Sequence, residues 1–206
     1  MPDVIGALRS LLSRSGRRRR RKFREWIAQG RPLPPPSSVK HEIIRAYAKR
    51  FAPPTFVETG TYLGSTVAAV RDRFRRVYSI ELDEALYARA RQRFRHLRHV
   101  TILHGDSGEV LPGLLTRIDG ACLFWLDAHF SGGSTAKGAR ETPIVQEIEA
   151  ILAHPVKGHV ILVDDGRGFG VCPDFPTLEE LRRLVTARDP RLAFEVADDV
   201  IRIHPR

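Results

Sequence analysis

The sequence predicts an α/β domain built on a doubly wound, mostly parallel seven-stranded sheet that ends in a C-terminal antiparallel hairpin. Three observations predict it. Five short apolar runs, at residues 55–57, 76–80, 99–103, 121–126 and 159–163, are each followed by a segment with helical spacing. Their near-continuous apolar character suits strands buried on both faces, as in a parallel sheet. Each run also leads into an acid: Glu58, Glu81, Asp106, Asp127 and the pair Asp164–Asp165. Ligands of such sheets bind beyond the C-terminal ends of the strands.

Length and composition set the frame. A chain of 206 residues holds one domain with a real core, plus extensions. No apolar run approaches the roughly 18 residues needed to cross a bilayer. Cys122 and Cys172 form neither a disulfide framework nor a zinc pattern, so a cytoplasmic, reducing setting is expected. The formal net charge of +10 is unevenly placed. Residues 1–50 carry 14 Lys/Arg against 3 Asp/Glu, whereas the other 156 residues carry 20 against 21. The basic character therefore belongs to the N-terminal part and not to the predicted sheet.

Taken in order, residues 1–31 form a basic extension, either helical or disordered. Val4, Ile5, Leu8, Leu11 and Leu12 precede a basic run at 17–22, and Phe23, Trp26 and Ile27 follow it. The order of charge and apolar residues is the reverse of a secretory signal. Such an arm suits an anionic membrane surface, which would make the protein peripheral to the membrane, or a nucleic acid. A solvated tail is the plain alternative. Residues 32–39 are a proline-rich linker. The domain proper spans 40–206 and opens with a helix over 40–51 that carries Ile43, Ile44, Tyr47 and Phe51 on one face.

The first strand stops at Glu58, and a glycine turn with Gly60 and Gly64 leads to a helix bearing Val67, Val70 and Phe74. Strand, tight glycine turn and helix together present backbone N–H groups to a nucleotide-like ligand. After the second strand Asp83 is placed to cap a helix bearing Leu86, Ala90, Phe94 and Leu97. The third strand leads through Gly105, Asp106 and Ser107 into a short helix with Val110, Leu111, Leu114 and Leu115. The fourth ends at Asp127 and gives way to a glycine-rich loop over 130–140, expected to cover the substrate. Thr142 and Pro143 start a helix with Ile144, Ile148, Ile151 and Leu152 on its core face. The fifth strand ends at Asp164–Asp165. Thr177 and Glu180 have capping-box spacing ahead of Leu181, Leu184 and Val185. Residues 192–196 and 200–203, about a turn at Asp198–Asp199, read as a hairpin.

The glycine pattern separates nucleotide ligands. A dinucleotide fingerprint is Gly-x-Gly-x-x-Gly, but this chain has Glu58-x-Gly60-x-x-x-Gly64 and lacks the middle glycine that lets backbone approach a pyrophosphate. A ligand without phosphates needs no such glycine. Glu81 is placed to accept hydrogen bonds from two ribose hydroxyls, and Asp106, with Ser107 beside it, from an adenine amino group. A nucleoside with a charged amino-acid tail, S-adenosyl-L-methionine, meets this set.

The motifs Glu58-Thr-Gly-Thr-Tyr-Leu-Gly64, Ser79-Ile-Glu81, Gly105-Asp-Ser107, Trp125-Leu-Asp127 and Val163-Asp-Asp165 resemble those of class I S-adenosylmethionine-dependent methyltransferases over residues 40–206. The layout is most similar to that of metal-dependent catechol- and macrocin-type O-methyltransferases. The resemblance implies a Rossmann-like fold and a cofactor site of Glu58, Gly60, Tyr62, Gly64, Glu81, Asp106, Ser107 and Asp127. It also implies that Asp127, Asp164 and Asp165 hold Mg²⁺ against a substrate hydroxyl pair. Three neighbouring carboxylates repel, and a hard divalent cation relieves that repulsion. His129, two residues past Asp127, is a candidate general base. The catechol-type enzymes have a lysine three residues after the corresponding acid, where this chain has Phe130, so Lys137 in the loop is the substitute candidate. Plain structural roles stay open: Asp106 as a helix cap, and Asp127 or Asp165 paired with Arg140 or Arg167. The expected function is O-methylation of a hydroxylated small molecule or a glycan. Metal-independent or nucleic-acid methylation, and a non-catalytic S-adenosylmethionine-binding module, are the alternatives.

Overall fold

A computed structural model of the chain describes residues 14–127, 143–172 and 174–206. Seven strands form one sheet: β1 (Thr55–Thr59), β2 (Arg76–Glu81), β3 (Val100–His104), β4 (Cys122–Leu126), β5 (Val160–Val163), β6 (Leu192–Ala197) and β7 (Val200–Pro205). Their order is β3-β2-β1-β4-β5-β7-β6. The first five run parallel, and β7 is antiparallel to both β5 and β6. The winding reverses between β1 and β4, the switch point beside which open α/β sheets bind ligands.

Pairing register sorts the side chains onto two faces. Phe56 stands beside Val77 and Leu123, and Leu123 beside Val160. This row, with Trp125 and Leu162, packs under Trp26 of α1 (Arg14–Ala28), α2 (Ser37–Phe51), α3 (Ser65–Val70) and α4 (Glu84–Phe94). The opposite row, Val57, Ile80, Phe124 and Ile161, packs under α5 (Ser107–Leu115), α6 (Ile144–Ala153) and α7 (Leu178–Arg188). Strands β1, β4 and β5 are buried along their whole length, as a sheet covered on both sides requires.

Several expected ends move by a few residues, each for a local reason. Helix α2 begins at Ser37, three residues before the helix read from apolar spacing. A proline restrains the residue before it and not the one after, so the chain is free to turn helical directly past Pro36. Helix α3 ends at Val70 and tightens into a 3₁₀ turn over Arg71–Arg73; Phe74 is buried, but it lies beyond the helix. The N-terminal extension is helical over Arg14–Ala28, and its end is docked. Trp26 is 3% exposed and its indole N–H donates to the Pro32 carbonyl at 2.9 Å. Asp83 caps α4 by accepting from the Leu86 N–H, and Thr177 and Glu180 form the reciprocal capping box of α7. Among the described residues no helix is long and apolar enough to cross a membrane.

Candidate active site

The six acids share one rim because five parallel strands end on it. At its centre the turn after β1 uses left-handed backbone at three places: Gly60 (φ 84°), Tyr62 (φ 47°) and Gly64 (φ 69°). Gly64 has a second reason to lack a side chain. A Cβ there would lie 2.7 Å from the Phe94 ring of α4. The turn is pinned to β2 by the Gly60 and Thr61 N–H groups, which both donate to the Ile80 carbonyl.

Glu81 is fixed by the same turn. One carboxylate oxygen accepts from the Tyr62 N–H at 2.7 Å and the other from the Asp83 N–H at 3.0 Å. An ionised carboxylate has about four acceptor positions, so capacity for two further donors remains. Asp106 caps α5, accepting from the Gly108 N–H at 2.9 Å. The capping role and a ligand role are compatible, because that bond engages one of its two oxygens.

Glu58 and Ser107 are both buried at the rim. Glu58 is 1% exposed and accepts from the Ser79 hydroxyl at 2.6 Å, while Ser79 in turn meets Thr61. It underpins the glycine turn from below. Burial pushes its carboxyl up to about 8; Ser79 and Thr66 oppose the shift, and the like charges of Asp127 and Glu81 reinforce it. Ser107 is buried against Glu147 of α6. Glu147 is likewise 1% exposed, and burial pushes it up to about 7 against hydrogen bonds from Ser107 and Thr59. Its Oε1 has no hydrogen-bond partner. Sequence reading passed over Glu147, although its place three residues after Ile144 and one before Ile148 puts an acid inside an apolar stripe.

The acid trio is divided. Asp127 is half-buried, and its N–H donates to the Thr59 carbonyl at 3.1 Å. Asp164 is 2% exposed and receives the Lys40 ammonium of α2 at 2.5 Å. The same ammonium is 3.5 Å from Asp165. Asp165 has left-handed backbone (φ 52°) and also pairs with Arg167 at 2.8 Å. Arg167 in turn is held by Asp199 of the β6–β7 turn. Burial lowers the Lys40 pKa, but Asp164, Asp165 and Asp127 outweigh it and hold the ammonium above its usual value. Burial pushes the Asp164 carboxyl up, and Lys40 opposes that shift. Two of the three expected metal ligands are thus already neutralised by a lysine and an arginine. Among the described residues no group of three or more His, Cys, Asp or Glu side chains is set to hold a metal ion. The expected bases His129 and Lys137, the covering loop and Arg140 lie outside the described residues.

Lys40 had a readable signal. It sits in the first turn of α2, where the helix dipole disfavours a cation. A carboxylate partner offsets that cost.

The donor set fits S-adenosylmethionine on its chemistry. A carboxylate anchored by two backbone N–H groups stands beside a left-handed glycine turn, and the acids around it suit hydroxyls and a cationic sulfonium better than phosphates. No family model and no curated protein matches the chain. Solved structures do. A Podospora anserina methyltransferase with SAH bound, PaMTH1, matches 100% of this chain and 89% of its own at 18% identity, with a TM-score of 0.60. The O-methyltransferase TomG from Streptomyces achromogenes, in complex with SAM, matches 95% and 92% at 17% identity and a TM-score of 0.62. An O-methyltransferase from Bacillus cereus in complex with SAH matches 95% and 93% at 15% identity and a TM-score of 0.60. The chain has the fold of the class I S-adenosylmethionine-dependent methyltransferases.

Proposed function

We propose that the chain is an S-adenosylmethionine-dependent methyltransferase that methylates an oxygen of a hydroxylated small molecule or a sugar. The observation that carries the proposal is Glu81, held by the Tyr62 and Asp83 N–H groups at the end of β2 beside the Gly60–Gly64 turn. A dinucleotide site would need a glycine in place of Tyr62, the residue whose N–H orients Glu81. The solved structures of matching fold include O-methyltransferases with SAM or SAH bound, which supports the same cofactor and acceptor atom here.

When bound, S-adenosylmethionine supplies a sulfonium methyl group, which passes to the acceptor oxygen as the S–CH₃ bond breaks and a neutral thioether leaves. The residues of this chain bind and orient. Glu81 takes the ribose hydroxyls, Asp106 the adenine side, and the turn at Gly60, Tyr62 and Gly64 the amino-acid tail. Glu58, neutral near pH 7 and tied to Ser79, holds that turn in shape. Asp127 stands at the end of the adjoining strand, where the acceptor must approach the methyl group in line. His129 and Lys137 remain the proposed candidates for removing the acceptor proton.

Mg²⁺ is not part of the proposed chemistry, because Asp164 and Asp165 as paired with Lys40 and Arg167 do not fit a divalent cation. The basic helix α1 and the residues before it are proposed to meet an anionic surface, with nucleic acid as the alternative partner.

A thermal-shift panel tests the cofactor. A ligand at 100 times its Kd stabilises the fold by about 2.7 kcal/mol, which raises Tm by about 5–10 °C for a chain of this size. S-adenosylmethionine and S-adenosylhomocysteine are expected to give such a shift, and NAD and ATP to give none. A shift with NAD and not with S-adenosylmethionine would overturn the proposal.

A further inference from the structure

We infer that Lys40 is the resident cation of this rim: its ammonium, reaching from α2 to Asp164 and Asp165, fills the place a divalent metal would need and makes the site metal-independent. The inference rests on the methyltransferase reading for its meaning, but its geometry stands apart from that reading.

The rim arrangement has a definite origin. Register places Trp125 beside Glu58 and Leu162 beside Trp125. Two residues on, Asp164 follows Leu162 onto the same face of the sheet, the face that α2 covers. The Asp164 carboxyl is therefore aimed at the underside of a helix, not at solvent. Its side chain is fully buried, and that of Lys40 is 18% exposed. Lys40 is one turn before Ile44, which is fully buried against the sheet. The helical repeat thus holds the lysine stem over the same strands. One Asp164 oxygen takes the ammonium, and the other accepts the Asp165 N–H at 2.9 Å. Both oxygens of this acid are thus engaged inside the protein.

A metal entering here would have to displace a lysine anchored in a packed helix. It would also have to pull Asp165 away from Arg167, which a second acid, Asp199, holds in place. The positive charges of Lys40 and Arg167 would repel it meanwhile. Conversely, the ammonium already performs the electrostatic task a metal would have. It relieves the mutual repulsion of Asp164 and Asp165, and Asp127 is close enough for its charge to act on Lys40 as well. An ammonium is a compact point charge with three donors, so it serves clustered carboxylates without fixed coordination geometry. Removing it should leave the buried Asp164 carboxylate without its cation, beside the acids Asp165 and Asp127, and a hard cation can then take that place.

The test uses Mn²⁺ as the probe, read by electron paramagnetic resonance of the free ion during titration, with the full chain and without any acceptor. For the wild-type protein we expect no Mn²⁺ site tighter than the millimolar range, with or without S-adenosylmethionine. Lys40→Ala is expected to acquire a site at least tenfold tighter, which is lost again in Lys40→Ala combined with Asp164→Asn. A wild-type Mn²⁺ site in the micromolar range that Asp164→Asn abolishes would overturn the inference. A folded Lys40→Ala protein that gains no site would also overturn it. The comparison of the wild-type protein with Asp164→Asn does not use Lys40→Ala, so it can overturn the inference even if Lys40→Ala fails to fold. Circular dichroism checks that folding separately. If S-adenosylmethionine fails to bind the wild-type protein, the proposed function falls, while the Mn²⁺ titrations still decide the role of Lys40.

Discussion

Glu58→Gln tests the electrostatics of the glycine turn. Glu58 is buried, and its carboxyl is raised from 4.5 to about 8. Between those values the folded chain holds a proton at this site that the unfolded chain has lost. Stability contributed by a group raised in the fold is complete below its unfolded value and is lost as pH rises through its folded value. Here the loss runs from pH 4.5 to about 8. Each pH unit costs about 1.4 kcal/mol, so the whole window is worth about 5 kcal/mol. That is comparable to the total stability of many domains. Glutamine has nearly the same shape, can accept from the Ser79 hydroxyl, and does not titrate. Urea unfolding at pH 5, 6, 7 and 8 should therefore show the variant gaining on the wild-type protein by about 1.4 kcal/mol per unit, and exceeding it in stability at pH 8. Parallel curves for the two proteins would refute the assignment of a neutral Glu58 in the folded state. Glu147, raised to about 7, titrates in both proteins and cancels from the comparison.

Three other outcomes follow from particular residues. His159 accepts from the Cys122 N–H and meets His154, and its burial, with His154 and Lys157 adding to it, lowers its pKa to about 4. A histidine lowered in the fold loses its contribution as pH falls below the unfolded value, so about 3 kcal/mol should disappear between pH 6.5 and 4. Denaturant curves of His159→Asn should lack that acid loss. Gly64→Ala meets both a left-handed backbone and the Phe94 ring; a stability loss of about 2–4 kcal/mol is expected by thermal unfolding. Gly113→Ala is the contrast: a Cβ there meets nothing within 4 Å in the interior of α5, and the helix should gain about 0.5–1 kcal/mol.

Much of the fold was legible because its signals are local and repeat along the chain. Apolar runs gave the parallel strands, Asp83 and the Thr177–Glu180 pair marked helix starts, and Asp198–Asp199 marked the hairpin turn. The rim of acids was legible for the same reason, since a residue that ends a parallel strand must lie on one edge. What each acid touches was not legible, because contacts across the fold depend on register and helix placement. Lys40 lies 124 positions before Asp164, and only the packing of α2 over β5 brings them together. Glu147 escaped notice because apolar periodicity was read from its neighbours and not from the exception among them. Glu58 was read as the acid at which the first strand stops, and as part of the cofactor site. The strand continues through Thr59, which carries Glu58 one place inside.

The central claim is that Glu81, held by two backbone N–H groups, receives the ribose of S-adenosylmethionine. Calorimetric titration of the wild-type protein and Glu81→Ala tests it most directly, with circular dichroism to confirm that the variant is folded. Loss of hydrogen bonds to a charged acceptor should cost about 3 kcal/mol, or ~100-fold in Kd. Equal affinity in the two folded proteins, or no heat from S-adenosylmethionine in either, would contradict the claim.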